Sequence, residues 1–69
     1  MSATISVNGV EKAATATTIA DLLRDEKVDL DARFLAVAIN GAVVPRSRWE
    51  GVEIKPGDDI EIVRPAPGG

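Results

Sequence analysis

Phe34-Leu35-Ala36-Val37-Ala38-Ile39-Asn40-Gly41-Ala42-Val43-Val44-Pro45 is the stretch on which the fold turns. Leu35, Val37 and Ile39 alternate with Phe34, Ala36 and Ala38, the period of two that sends successive side chains to opposite sides of a sheet. Asn40-Gly41 then signals a tight hairpin, because a primed two-residue turn needs positive φ at both central positions. Ala42-Val43-Val44 runs back as the partner strand. Pro45 stops it, having no N–H to give to a ladder. Strands over 34–39 and 42–44 follow. With Leu35, Val37 and Ile39 facing a covering layer, Ala36 and Ala38 fall on the opposite, uncovered face. Small apolar residues there make a flat patch against which another protein can dock.

Working toward the N-terminus, Thr18 with Asp21 three residues later matches a capping box in which Asp replaces Glu. Ile19, Leu22 and Leu23 fall at i, i+3 and i+4 and so share one face of a helix. Arg24, Asp25, Glu26 and Lys27 give that helix a solvated, charged end, and Val28 and Leu30 return the chain beneath the sheet. Earlier still, Thr4-Ile5-Ser6-Val7 alternates polar and apolar, Asn8-Gly9 repeats the hairpin signal, and Val10-Glu11-Lys12-Ala13 is the returning strand. Toward the C-terminus, Ser47-Arg48-Trp49 suits a single helical turn. Lys55-Pro56-Gly57-Asp58-Asp59 is a turn cluster, and Ile60-Glu61-Ile62-Val63 is a last short strand whose apolar residues mostly alternate.

Hairpin, helix, hairpin, turn and strand make an α+β chain in which one helix must cover one sheet, since neither buries its apolar face alone. This order describes a ubiquitin-like β-grasp: a mixed sheet of four to five strands wrapped around one main helix. In that topology the last strand lies beside the first. The domain spans residues 1–63. Residues 64–69, Arg-Pro-Ala-Pro-Gly-Gly, form a flexible tail, as two prolines do not sit inside a sheet and glycines order poorly.

The totals narrow the chemistry. Sixty-nine residues make one small domain, without room for a substrate cleft and its supporting layer. There is no cysteine for a thiolate and no histidine for a general base or metal ligand. A formal charge of −3 argues against a nucleic-acid partner, which selects basic surfaces. The start Met1-Ser2-Ala3-Thr4-Ile5 shows no secretory signal, and no apolar run approaches the roughly 20 residues that cross a bilayer. A soluble, cytoplasmic protein with no membrane role is expected. Asp58-Asp59 lacks the alternating oxygen ligands of a calcium loop, so no metal and no cofactor is expected. Ser6 and Ser47 have no base to activate them. Trp49 is read as sealing the core beneath the 45–54 loop. Arg46 and Arg48 pair either with acidic helix residues or with a partner. No catalytic residue is assigned, and the chain is not expected to be an enzyme.

The tail remains. A carboxylate that attacks the α-phosphorus of ATP must enter a narrow channel in another protein, and glycine offers no Cβ to obstruct it. Adenylation converts that carboxylate into a mixed anhydride, from which a sulfur nucleophile displaces AMP.

Ala36-Val37-Ala38-Ile39-Asn40, Val44-Pro45-Arg46 with Trp49, Gly57-Asp58-Asp59-Ile60-Glu61-Ile62-Val63 and Gly68-Gly69 occur in an order and spacing that resembles the sulfur-carrier family of thiamine biosynthesis (ThiS), a ubiquitin-like β-grasp group. The Val-Pro-Arg-x-x-Trp stretch is the specific part. The resemblance implies a non-enzymatic carrier whose Gly69 is adenylated, becomes a thiocarboxylate and gives its sulfur to the thiazole of thiamine. Gly68 is the slender segment that enters the active site behind it, and Ala36 and Ala38 belong to the docking face. The implied partners are an ATP-dependent adenylyltransferase related to ubiquitin-activating enzymes, a persulfide protein as sulfur donor, and thiazole synthase. Pro65 and Pro67 make the tail stiffer than that of this family and resemble instead the small subunit of molybdopterin synthase, so molybdopterin stays open as the acceptor. A ubiquitin-like modifier joined to target lysines through Gly69 also stays open, as does a passive β-grasp interaction module whose terminal diglycine is accidental.

Overall fold

Asn8-Gly9 and Asn40-Gly41 take φ of 52° and 82°, and of 51° and 85°, and so fold back the strands on either side of them. In the computed structural model, which describes residues 3–64, these turns join β1 (Thr4–Val7) to β2 (Val10–Ala13) and β3 (Ala36–Ile39) to β4 (Ala42–Val43). The last strand, β5 (Asp59–Val63), lies between the two hairpins. It runs parallel to β1, with Val7 opposite Ile60, and antiparallel to β3, with Val37 opposite Ile62. The sheet order is therefore β2-β1-β5-β3-β4, and the last strand is the central one. This is a β-grasp.

One helix, α1 (Ile19–Asp25), covers the sheet. Thr18 caps it: its hydroxyl accepts from the Asp21 N–H at 3.2 Å. The box is one-sided, since the Asp21 carboxylate turns to Arg24 at 3.1 Å. At the far end the Lys27 N–H reaches Arg24 O at 3.0 Å and the Val28 N–H reaches Leu23 O at 2.9 Å. These two bonds make a Schellman cap whose left-handed residue, usually glycine, is Lys27 with φ 59°. Glu26, in the stretch read as solvated, is half-buried and pairs with Lys12 at 2.6 Å.

Ile5 and Val7 of β1, Val37 of β3 and Ile60 and Ile62 of β5 meet Ile19, Leu22 and Leu23 of α1 in a single core. Trp49 closes it from the side, 2% exposed, with its indole N–H on Val44 O at 2.9 Å. That polar end is satisfied, as a buried tryptophan requires. The helical turn beside it is a 3₁₀ turn over Arg46–Arg48, one residue earlier than the sequence pattern suggests.

Three strand limits differ from expectation, the first being β5, which begins at Asp59 and not Ile60. β3 begins at Ala36, not Phe34: Phe34 takes φ 63°, which turns the chain out of the pleat and leaves the ring 82% exposed. β4 ends at Val43, although the Val44 N–H still bonds Val37 O at 2.8 Å. Among the described residues no helix is long and apolar enough to cross a membrane.

Candidate functional site

Cross-strand register decides which residues share the sheet face turned away from α1. Residues opposite one another in a ladder point to the same side. Ala36 pairs with Val63, and Ala38 lies between Glu61 on one side and Val43 on the other. Ser6 lies between Glu11 and Asp59. The alternation within β5 agrees: Ile60 and Ile62 are buried while Asp59, Glu61 and Val63 are exposed. The open face thus carries an apolar strip of Ala36, Ala38, Val43 and Val63 beside the carboxylates of Glu11, Asp59 and Glu61. Ala36 is exposed and Ala38 half-buried, on the side where the alternation of 34–39 puts them. Val43 is 76% exposed and Val63 58%.

Sequence reasoning missed Val43 and Val63 as members of this strip. The signal for Val63 was present, for it is the one apolar residue out of phase with Ile60 and Ile62. Val43 needed the register: it faces outward because it sits opposite Ala38.

The end of β5 is held on both sides. β1 stops at Val7, which leaves the N–H and C=O of Ile62 without a backbone partner on that flank. The Asn8 amide supplies both: its Oδ1 accepts from the Ile62 N–H at 2.8 Å and its Nδ2 donates to Ile62 O at 3.2 Å. Asn40 performs the same service at the other end of the strand, accepting from the Asp59 N–H at 2.9 Å. Pairing continues to Val63 opposite Ala36, and Arg64 is the last described residue. Pro65, Pro67, Gly68 and Gly69 lie outside the described residues. The chain therefore leaves the sheet at the corner where Ala36 and Val63 meet.

The remaining candidates are structural. Arg46 donates to Leu30 O, and to Ala32 O at 2.6 Å, with its guanidinium 4.7 Å from the centre of the Trp49 ring. It ties the 29–33 segment to the core and pairs with no acidic helix residue. The base that does so is Arg24, which contacts Asp21 and, at 2.9 Å, Glu50. The hydrogen bond and charge of Glu50, aided by Asp21, raise the Arg24 pKa further above its ordinary value. Asp58 is occupied by the Lys55 N–H at 2.7 Å and the Asn40 amide at 3.0 Å. Among the described residues no group of His, Cys, Asp or Glu could hold a metal ion. A shallow groove of about 240 Å³ runs beside β4 past Ile39, Ala42, Pro45 and Val52, with Arg48 its one charged side chain. It brings together no nucleophile and base. What the described surface offers is a face for contact and a defined exit for the chain.

A family model described as the ThiS family matches residues 4–69. The crystal structure of a thiamine biosynthesis protein (ThiS) from Geobacter metallireducens is similar at TM-score 0.76 and 28% identity, over 96% of this chain and 99% of that one. A solution NMR structure of a thiamine biosynthesis protein from the same organism gives TM-score 0.75 and 29% identity, over 96% and 87%. No curated protein matches the chain.

Proposed function

We propose a function from one premise: the chain belongs to the ThiS family. It is a sulfur carrier of thiamine biosynthesis, a passenger and not a catalyst. The Gly69 carboxylate attacks the α-phosphorus of ATP in an adenylyltransferase related to ubiquitin-activating enzymes, releasing pyrophosphate and forming an acyl-adenylate. The terminal sulfur of a protein persulfide displaces AMP and gives an acyl disulfide. Thiol attack on that disulfide frees the Gly69 thiocarboxylate, which thiazole synthase accepts. Gly68, without a Cβ, lets the reacting end pass a narrow channel. Ala36 and Ala38 belong to the face on which the partners dock.

One observation supports this reading above the others. The exposed alanine strip and the root of the tail share a corner of the sheet, at the Ala36–Val63 pair. A partner seated on the strip receives the tail directly.

The test is intact mass after incubation with ATP, a persulfide donor and the cognate adenylyltransferase. A carrier gains the difference in mass between sulfur and oxygen at Gly69. A modifier appears as an isopeptide conjugate, and an unchanged mass ends the reading. Pro65 and Pro67 favour molybdopterin as a second acceptor. Consumption of the thiocarboxylate by thiazole synthase, and not by the large subunit of molybdopterin synthase, decides between them.

A further inference from the structure

Phe34 is the chain's one phenylalanine, and its ring is 82% exposed. It also holds φ 63°, the left-handed conformation in which a bulky side chain is an outlier. The hairpin turns at comparable φ use asparagine and glycine, which adopt it readily. Glycine would serve the turn before β3 better than phenylalanine. A strained residue with an unburied aromatic ring is kept neither by its own fold nor by water, and such outliers cluster at functional sites.

Its position says what it meets. Phe34 stands two residues before Ala36, hence at the sheet end where Val63 is paired and the chain runs on past Arg64. The exposed apolar surfaces of Val43 and Val63 belong to the same strip. The charges around Phe34 and that strip are of both signs. Glu61 lies beside Ala38 on the strip, while the exposed Arg33 and Arg64 adjoin Phe34 and Val63 in sequence.

We propose that Phe34 is a docking anchor for the enzyme that adenylates Gly69, and that this enzyme receives the ring in an apolar recess and sets a basic side chain against Glu61. Exposed aromatic residues surrounded by contacts that exclude water dominate interface energetics, and complementary rim charges set encounter rate and salt dependence. The inference rests on the carrier reading and names a residue outside the alanine strip as the main anchor.

The experiment compares parent, Phe34→Gly and Phe34→Asn in ATP–pyrophosphate exchange with the cognate adenylyltransferase, alongside melting curves. Both substitutions suit positive φ, so both variants are expected to melt at or above the parent temperature. KM for the carrier is expected to rise about tenfold or more, with kcat near the parent's, because the ring binds and does not react. Glu61→Gln is expected to raise KM less and to weaken its dependence on salt. Unchanged KM in both Phe34 variants overturns the anchor while parent exchange leaves the carrier reading intact. Loss of folding in both variants also overturns it, since the ring would then serve the body. Absence of exchange with the parent overturns the carrier reading and this inference together.

Discussion

Among the described residues, four other than glycine take positive φ, for three different reasons. Asn8 and Asn40 turn hairpins and then use their amides to seal β5. Lys27 ends a helix, and Phe34 starts a strand. Left-handed backbone costs an ordinary L-residue roughly 1–2 kcal/mol. Lys27 is exposed, with no hydrogen bond from its side chain among the described residues, so Lys27→Gly is expected to stabilise the protein by about 1 kcal/mol in urea or thermal unfolding. Loss of stability on that change would mean that the lysine stem packs on the body. At this scale the sequence was half legible. Asn-Gly announces its turn because the residue types themselves prefer it. Lys27 and Phe34 announce nothing, and Phe34 in an alternating run even imitates a strand residue. Their conformations are imposed by the Schellman bonds behind Val28 and by Leu35 entering the core.

Seven residues make too short a helix to persist alone, for nucleation is costly and few backbone bonds follow it. α1 exists because Thr18 caps it and because Ile19, Ala20 and Leu23, each 0% exposed, are buried in the core beneath it. Leu23→Ala is expected to cost about 2–5 kcal/mol, the usual range for a buried leucine. A domain of this size has only about 3–5 kcal/mol of net stability, so much of the population should unfold at 37 °C, as far-ultraviolet circular dichroism would report. A folded variant with near-parent stability would show that the core closes over the lost volume. The helix was readable because its signals are local: a cap, a charge pattern and three apolar positions. The place of β5 was not local. Its partners lie more than 20 residues away in β3 and more than 50 away in β1, so the topology had to come from resemblance. The open face suffered for the same reason, since only the β3–β4 and β3–β5 registers bring Val43 and Val63 beside the alanines.

At the scale of the molecule, residues 1–63 are proposed as the body that holds the fold and residues 64–69 as the tail that reacts. The core cluster runs from Ile5 to Ile62, and Gly69 has no side chain to add to it. Deleting Gly69 is therefore expected to leave Tm unchanged and to abolish adenylation. Replacing Ala38 by lysine separates the functions in the other direction. That position is half-buried on the open face beside Glu61, so the fold should persist by circular dichroism while complex formation with the adenylyltransferase weakens. A collapsed spectrum would place Ala38 within the body's packing.

The central position of β5 has a consequence for how the protein is made. A nascent chain that has emerged only as far as Pro56 carries the sequence of two hairpins and a helix but not the strand that joins them. β1 and β3 have no common partner until residues 59–63 arrive. Translation halted early thus yields no near-native impostor that could occupy a partner: such fragments expose both flanks of the missing strand and are fit only for proteolysis.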